Sequence, residues 1–378
     1  MKKVLLLIDT SRASGRKFLV GIERYVSLRE EWEVCVQPPE YLPTRGTGLR
    51  AWLDRPDGII CRDSPHTAKI LKMDIPKVIN ETARESLPGV ASIYTDSVRI
   101  GELAADYFRD SGFCHFAFCG FENMEWSRKR FEAFSARLRE NNYAPVHTFH
   151  SWRGSREKGE RESLSAWLES LPRPVCVFAC NDDRGVDVIQ ACQNSGFKVP
   201  EEVAVLGVDN DELVCGLSFP PLSSIELDFA RAGFDAASLL DLQMRQEPSA
   251  EDIVVKPGGI VTRRSSDIIA VDDAEVAKAL IFIRNNFRKQ LQASDIVGAT
   301  NLSRRMLELR FRHQLGKSLM DEVWRLRLEY AKKLLANTDD PVYRIADALE
   351  YTDPEHFARF FKKMTGHTPS EYRRLLHT

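Results

Sequence analysis

The sequence predicts two folds in tandem: a parallel α/β fold over residues 1–265, and an all-α region with two helix-turn-helix motifs over residues 274–378. A linker at 266–273 joins them. Three observations carry this. Short apolar runs alternate with amphipathic stretches of helical period through the first part, as in a parallel sheet covered by helices. The last part has only helical periodicity, and one Phe-to-Gly pattern occurs there twice. The charge also divides: from Asp272 onward 19 basic residues face 15 acidic ones, so the helical end carries +4 of a chain whose net charge is −2.

The strands are taken in order. The start, Met-Lys-Lys-Val-Leu-Leu-Leu-Ile-Asp9, is an apolar run too short for a signal peptide and is closed by Asp9, so it reads as a buried first strand. Residues 32–36, 58–61, 77–79, 116–119, 175–179 and 203–208 repeat that pattern. Between them, residues 16–28, 98–110, 127–141, 157–170, 183–194 and 229–243 read as helices. Parallel sheets bind ligands at the carboxyl ends of their strands. Polar residues stand there. Asp9, Arg12 and Arg16 follow the first strand; Trp126, Arg128 and Arg130 open the helix after residues 116–119. Asn181 and Asp182 follow 175–179, and Asp209 follows 203–208. Carboxylates, amides, arginine forks and an indole suit a sugar. Planar polar groups take paired hydroxyls, and an aromatic face takes the C–H patch.

This layout resembles the sugar-binding core of LacI-type repressors and periplasmic binding proteins. The resemblance is carried by Val177-Phe-Ala-Cys-Asn-Asp182, Pro200-Glu-Glu-Val-Ala-Val-Leu-Gly-Val-Asp209-Asn210 and Pro221-Leu-Ser-Ser-Ile225. It implies an α/β two-lobed periplasmic-binding-protein-like domain, with chain crossings near Phe113, Ser223 and the strands around Val254 and Ile260. It also implies that Arg130, in the frame Arg130-Phe-Glu-Ala-Phe134, and Asp209 touch the ligand, with Asn181 and Asp182 beside them.

In the helical end, Ser303 or Asn301 can cap a helix from Arg304 that closes at Gly316. Residues 318–335 follow as one helix of about 18 residues, roughly 27 Å long. A rod of that length can hold two recognition helices about one DNA turn, ~34 Å, apart. The second motif places Ile345, Ala346 and Leu349 on a short helix, a turn at Thr352-Asp-Pro354, and a helix that buries Phe357, Phe360, Phe361 and Met364. Arg305 and Glu308 in the first reader, and Glu355, His356 and Arg359 in the second, are placed for base edges. Arg304, Arg312, Lys362 and Lys363 are placed for phosphates. The segment from Asp272 to the last residue resembles the AraC-type regulator domain, on Ile345-Ala346, Phe357, Phe360-Phe-Lys-Lys363, Gly366, Thr368-Pro369 and Tyr372-Arg373. That family has Gly-Phe where this chain has Glu350-Tyr351, and often Arg where Leu309 stands.

Other classes fit poorly. All eight cysteines precede residue 216 and none forms Cys-x-x-Cys, so buried thiols are expected and no metal. A dehydrogenase would need a glycine-rich phosphate turn after a strand, and Gly46-Thr-Gly-Leu-Arg-Ala51 lacks the strand. Neither Gly-x-Ser-x-Gly nor His-Glu-x-x-His occurs, so no enzyme and no cofactor is expected. No apolar run is long enough to span a membrane. A LacI-like core fused to a C-terminal AraC-type domain is similar to the xylose operon regulator group. That resemblance implies a cytoplasmic, nucleoid-associated, sugar-responsive activator, with operator DNA, a pentose (xylose first), a second copy of the chain and RNA polymerase as partners. A binding protein or regulator for another aldose such as arabinose, acting as a repressor, is the alternative.

Overall fold

A computed structural model describes residues 1–28, 32–36, 56–63, 67–80, 90–152, 159–247, 252–268 and 273–377. Gly46–Ala51, the first residues of the helix expected from 157, and residues 269–272 of the expected linker lie outside the described residues. The chain divides into two compact units. The first comprises residues 1–109 and 113–268, the second residues 110–112 and 269–378. Ser265 and Ser266 are buried in the first, where Ser265 Oγ donates to the carbonyl of Val205.

Two six-stranded sheets form the first unit. One is ordered β11-β5-β4-β3-β1-β2, the other β12-β10-β9-β8-β6-β7. In the first sheet β1 (Lys2–Leu7) lies between β2 (Trp32–Val36) and β3 (Gly58–Arg62), followed outward by β4 (Lys77–Asn80), β5 (Ala91–Thr95) and β11 (Ile253–Val255), all parallel. In the second, β6 (Phe116–Phe121), β7 (His147–Ser151), β8 (Val175–Ala179), β9 (Val203–Asp209) and β10 (Ser223–Leu227) are parallel, and β12 (Pro257–Val261) closes the edge antiparallel. The chain fills most of the first sheet, crosses to the second after β5, returns for β11 and crosses again for β12. Strands covered on both faces are apolar throughout. Val175–Ala179 is buried at every position, and Leu5, Ile59, Cys61 and Ile79 form the core of the first sheet. The helices are α1 (Ala13–Ser27), α2 (Thr67–Leu71), α3 (Ser97–Asp110), α4 (Glu125–Glu140), α5 (Glu160–Ser170), α6 (Asp182–Asn194), α7 (Glu212–Leu217) and α8 (Phe229–Met244).

The second unit holds α9 (Ala274–Asn286), α10 (Ala293–Gly298), α11 (Arg304–Leu315), α12 (Leu319–Asn337), α13 (Val342–Ala348), α14 (Pro354–Thr365) and α15 (Pro369–His377). It has two cores threaded on one helix. Leu319 and Val323 of α12 pack with Val276, Leu280, Ile283, Ile296, Leu307 and Phe311. Leu328, Ala331 and Leu335, further along α12, pack with Ile345, Ala346, Leu349, Phe357 and Phe361. The helix ends are capped as the sequence requires. Ser303 and Asp353 open the two readers, Ser318 opens α12, and Gly316 and Gly366 take φ of 68° and 81°. Glu350 takes the same left-handed turn at φ 52°, without glycine's freedom. One expectation is corrected: Met364 is exposed and Phe360 half-buried, because Phe357 and Phe361 already fill the contact.

Candidate functional site

The carboxyl ends of the strands of both sheets bring charged groups to one cleft. Arg130 sits one turn after Trp126 on α4, with its guanidinium carbon 4.8 Å from the Trp126 ring centroid. It is 2% exposed. Its Nη2 donates to Thr95 Oγ1 at the end of β5 (3.2 Å), and its Nη1 to the carbonyl of Cys180 at the end of β8. One side chain thus touches both sheets. Burial lowers its pKa, and the charges of Asp209 and Asp182 act against that. Its Nε is buried without a hydrogen-bond partner among the described residues, a donor that a ligand oxygen would satisfy.

Asp209 ends β9 with φ 107°, and Asn210 follows at 46°. Two consecutive non-glycine residues at positive φ cost about 1–3 kcal/mol each, and such outliers cluster at binding sites. Asp182 opens α6 and is buried. Its Oδ1 accepts from Ser224 Oγ (2.5 Å) and its Oδ2 from the Asp211 amide (2.8 Å). Burial, with the neighbouring Asp209 charge, pushes its pKa up to about 8. A β-carbon on Gly207 would lie 2.4 Å from Asp182 Oδ1, so the strand must pass there as glycine. Asn181 caps α6 by accepting from the Arg184 amide (3.0 Å).

The amino end of α1 carries the contacts from the first sheet's side to the second. Arg12 grips Asp183 through Nε and Nη2 (3.1 and 2.8 Å). The Ala13 amide donates to Asp211 Oδ2 (2.7 Å), and Arg16 approaches the same oxygen at 3.7 Å. Lys17 pairs with Glu226 at 3.2 Å. Arg12 and Arg16, expected to hold ligand, are therefore in contact with the carboxylates of Asp183 and Asp211. Asp9 accepts from the Ser11 amide (2.9 Å) and from Arg62 (3.3 Å). Against burial, which would raise it, the Ser11 bonds and the charges of Arg62 and Arg12 hold its carboxyl below the usual range. Arg128 corrects the sequence reading more sharply. It stands about 200° round α4 from Trp126 and from Arg130, exposed and paired with Glu125 and Glu132 on its own helix. Sequence reasoning missed Thr95, Asp183, Asp211 and Arg62. Asp211 alone left a signal, since it caps α7 through Leu213 and Val214.

The second unit presents two reading helices with the same burial pattern fifty positions apart. Leu307 and Phe311 anchor α11 as Phe357 and Phe361 anchor α14. Arg304, Arg305 and Arg312 are exposed on α11, with Glu308 half-buried; Glu355, His356, Arg359, Lys362 and Lys363 are exposed on α14. Arg310 is withdrawn from this face by Asp273, 3.1 Å away at the cap of α9. Buried Arg327 donates to the carbonyls of Phe287 and Lys289 and to that of Leu349, tying the end of α9 to the end of α13. Such a face, cationic over two rigid helices, is built to approach DNA.

A periplasmic-binding-protein-like domain model matches residues 105–266, and a helix-turn-helix domain model matches residues 296–375. The fold and these matches define a class: a DNA-binding transcription regulator with a periplasmic-binding-protein-like domain ahead of a helix-turn-helix reader. Within that class the chain is similar to the xylose operon regulatory proteins. It is 29% identical to those of Haemophilus influenzae and Escherichia coli K12, covering 98% of this chain and 98% and 96% of theirs. A solved structure of a xylose-binding transcription activator superposes with a TM-score of 0.63 at 27% identity, covering 99% of this chain and 98% of that one. A ribose-bound LacI-family regulator from Enterococcus faecalis, 17% identical with a TM-score of 0.56 over 70% of this chain, shares the fold of the first unit. No described helix is long and apolar enough to cross a membrane.

Proposed function

We propose that this protein is a sugar-responsive activator of xylose genes, with D-xylose as effector. The observation that carries this reading is the union, in one chain, of the Trp126–Arg130–Asp209 cleft with two basic reading helices on a shared rod. The indole takes the sugar's C–H face, while Arg130 and Asp209 take paired hydroxyls. Asp9, Asn181 and Asp182 complete the cleft; Arg128 has no part in it.

Sugar shifts the regulator only by its differential affinity for the closed cleft. Arg12, Arg16 and Lys17 on one side and Asp183, Asp211 and Glu226 on the other supply contacts that belong to closure. The linker at 266–273 passes that state to residues 274–378, which contact operator DNA. Two copies of the chain act together in the cytoplasm, and the DNA-bound form recruits RNA polymerase.

The test has two arms. A thermal-shift panel of aldoses should single out D-xylose, since a ligand at 100 times its Kd stabilises by about 2.7 kcal/mol. A flat panel would remove the sugar and leave the DNA reading standing. A gel shift on DNA from upstream of xylose genes should tighten with D-xylose and ignore L-arabinose.

A further inference from the structure

Each reading helix exposes one side chain opposite its buried pair. A residue midway between Leu307 and Phe311 lies about 200° round the helix from both. On α11 that residue is Leu309, and in the same place on α14 it is Arg359. Leu309 is 65% exposed, with Met306, three positions before it, 40% exposed. The core beneath is complete without them: Leu307 and Phe311 are fully buried there, with Leu302 and Leu315 at its margin. Arg305, Arg312 and His313, all exposed, flank the apolar pair. A cationic rim repels a basic partner and suits phosphate, so the occupant of this face is nucleic acid. The apolar group that a base pair presents in the major groove is the C5-methyl of thymine.

We propose that Leu309, backed by Met306, reads the C5-methyl of a thymine under α11. The inference rests on the DNA-binding reading above and deepens it. The two DNA segments read by one chain then differ in kind. One is read by apolar contact with a methyl group, the other by hydrogen bonds from Arg359, so the two segments are not copies of each other.

The test uses the full-length chain to enrich double-stranded DNA from a random pool, with and without D-xylose. The wild-type protein, Leu309→Ala and Arg359→Ala are run in parallel. Leu309 carries no core contact, so all three should melt at similar temperatures. One thymine should be required by the wild type and by Arg359→Ala, and be lost from the sequences that Leu309→Ala selects. Replacing that thymine by deoxyuridine should weaken wild-type binding roughly fourfold, the worth of one buried methyl group. The same replacement should leave Leu309→Ala unaffected, and Leu309→Met should restore the thymine. An unchanged consensus for Leu309→Ala, or a wild type indifferent to deoxyuridine, overturns the proposal while DNA binding stands. Failure to enrich any sequence overturns DNA binding and this proposal together.

Discussion

Arg130 shows how one buried cation organises the cleft. It bonds groups from both sheets and stacks on Trp126, with the charges of Asp209 and Asp182 opposing its desolvation. A hydrogen bond to a charged group is worth about 1.5–3 kcal/mol, so Arg130→Met should weaken sugar binding on the order of ten- to a hundredfold by calorimetry. Arg128→Ala, on the opposite side of the helix, should bind as the wild type does. Equal losses would put the wrong arginine in the cleft. Asp182 gives a pH signature. Its carboxyl titrates near 8 when folded against an ordinary 3.8. Its protonated form therefore contributes stability in full below about 3.8, and that contribution is lost as pH rises through 8. Asp182→Asn cannot ionise, so its melting temperature relative to wild type should climb between pH 5 and pH 9. A difference constant across that range would show Asp182 charged throughout. These residues were legible because strand ends are legible: Asp182 and Asp209 follow apolar runs that could only be buried. Thr95 and Arg62 were not, since nothing local marks a threonine or arginine whose partner lies on another strand.

The proposed DNA contacts lie on the reading helices, and the predictions for them separate base from backbone. Arg359→Ala should cost about 1–3 kcal/mol on the selected site and little on random DNA. Lys362→Ala should weaken both alike and reduce the salt slope by about one. A variant that lost the two equally at position 359 would leave that arginine with phosphates only. The turn after α13 holds Glu350 at φ 52°, where the AraC family has glycine. A left-handed non-glycine residue costs about 1–2 kcal/mol and glycine's added freedom returns part of that, so Glu350→Gly should stabilise by about 0.5–1 kcal/mol in urea unfolding. A destabilised variant would mean that the glutamate backbone conformation is unstrained. Elements with a strong apolar period were legible, α12 and α14 above all. The strands β5 and β7 were not. Ala91-Ser-Ile-Tyr-Thr95 is half polar, and His147–Ser151 is an edge strand whose burial never alternates cleanly.

Across the first unit, the proposed function makes sugar response depend on how readily the cleft closes. The Arg12–Asp183 pair spans the cleft, and both side chains are about half exposed. Asp183→Ala should therefore leave the fold intact and lower apparent sugar affinity a few-fold by reducing the closed fraction. The intrinsic selectivity among aldoses should not move. A variant with unchanged affinity would show that the pair contributes nothing to closure, the usual outcome for an exposed ion pair.

Periodicity, capping residues and the fifty-residue repeat already specify two folds, their order and the reader's architecture. Those features are local, and local chemistry is written in consecutive residues. The cleft is different. Arg130 meets Thr95 and Cys180, Arg12 meets Asp183, and the Ala13 amide meets Asp211 only because three chain crossings bring distant strand ends together. The same holds for Arg128, which shares its type and neighbourhood with Arg130 but stands on the solvent side of α4. Which arginine is buried depends on what packs against the helix, and that is set by parts of the chain far removed in sequence.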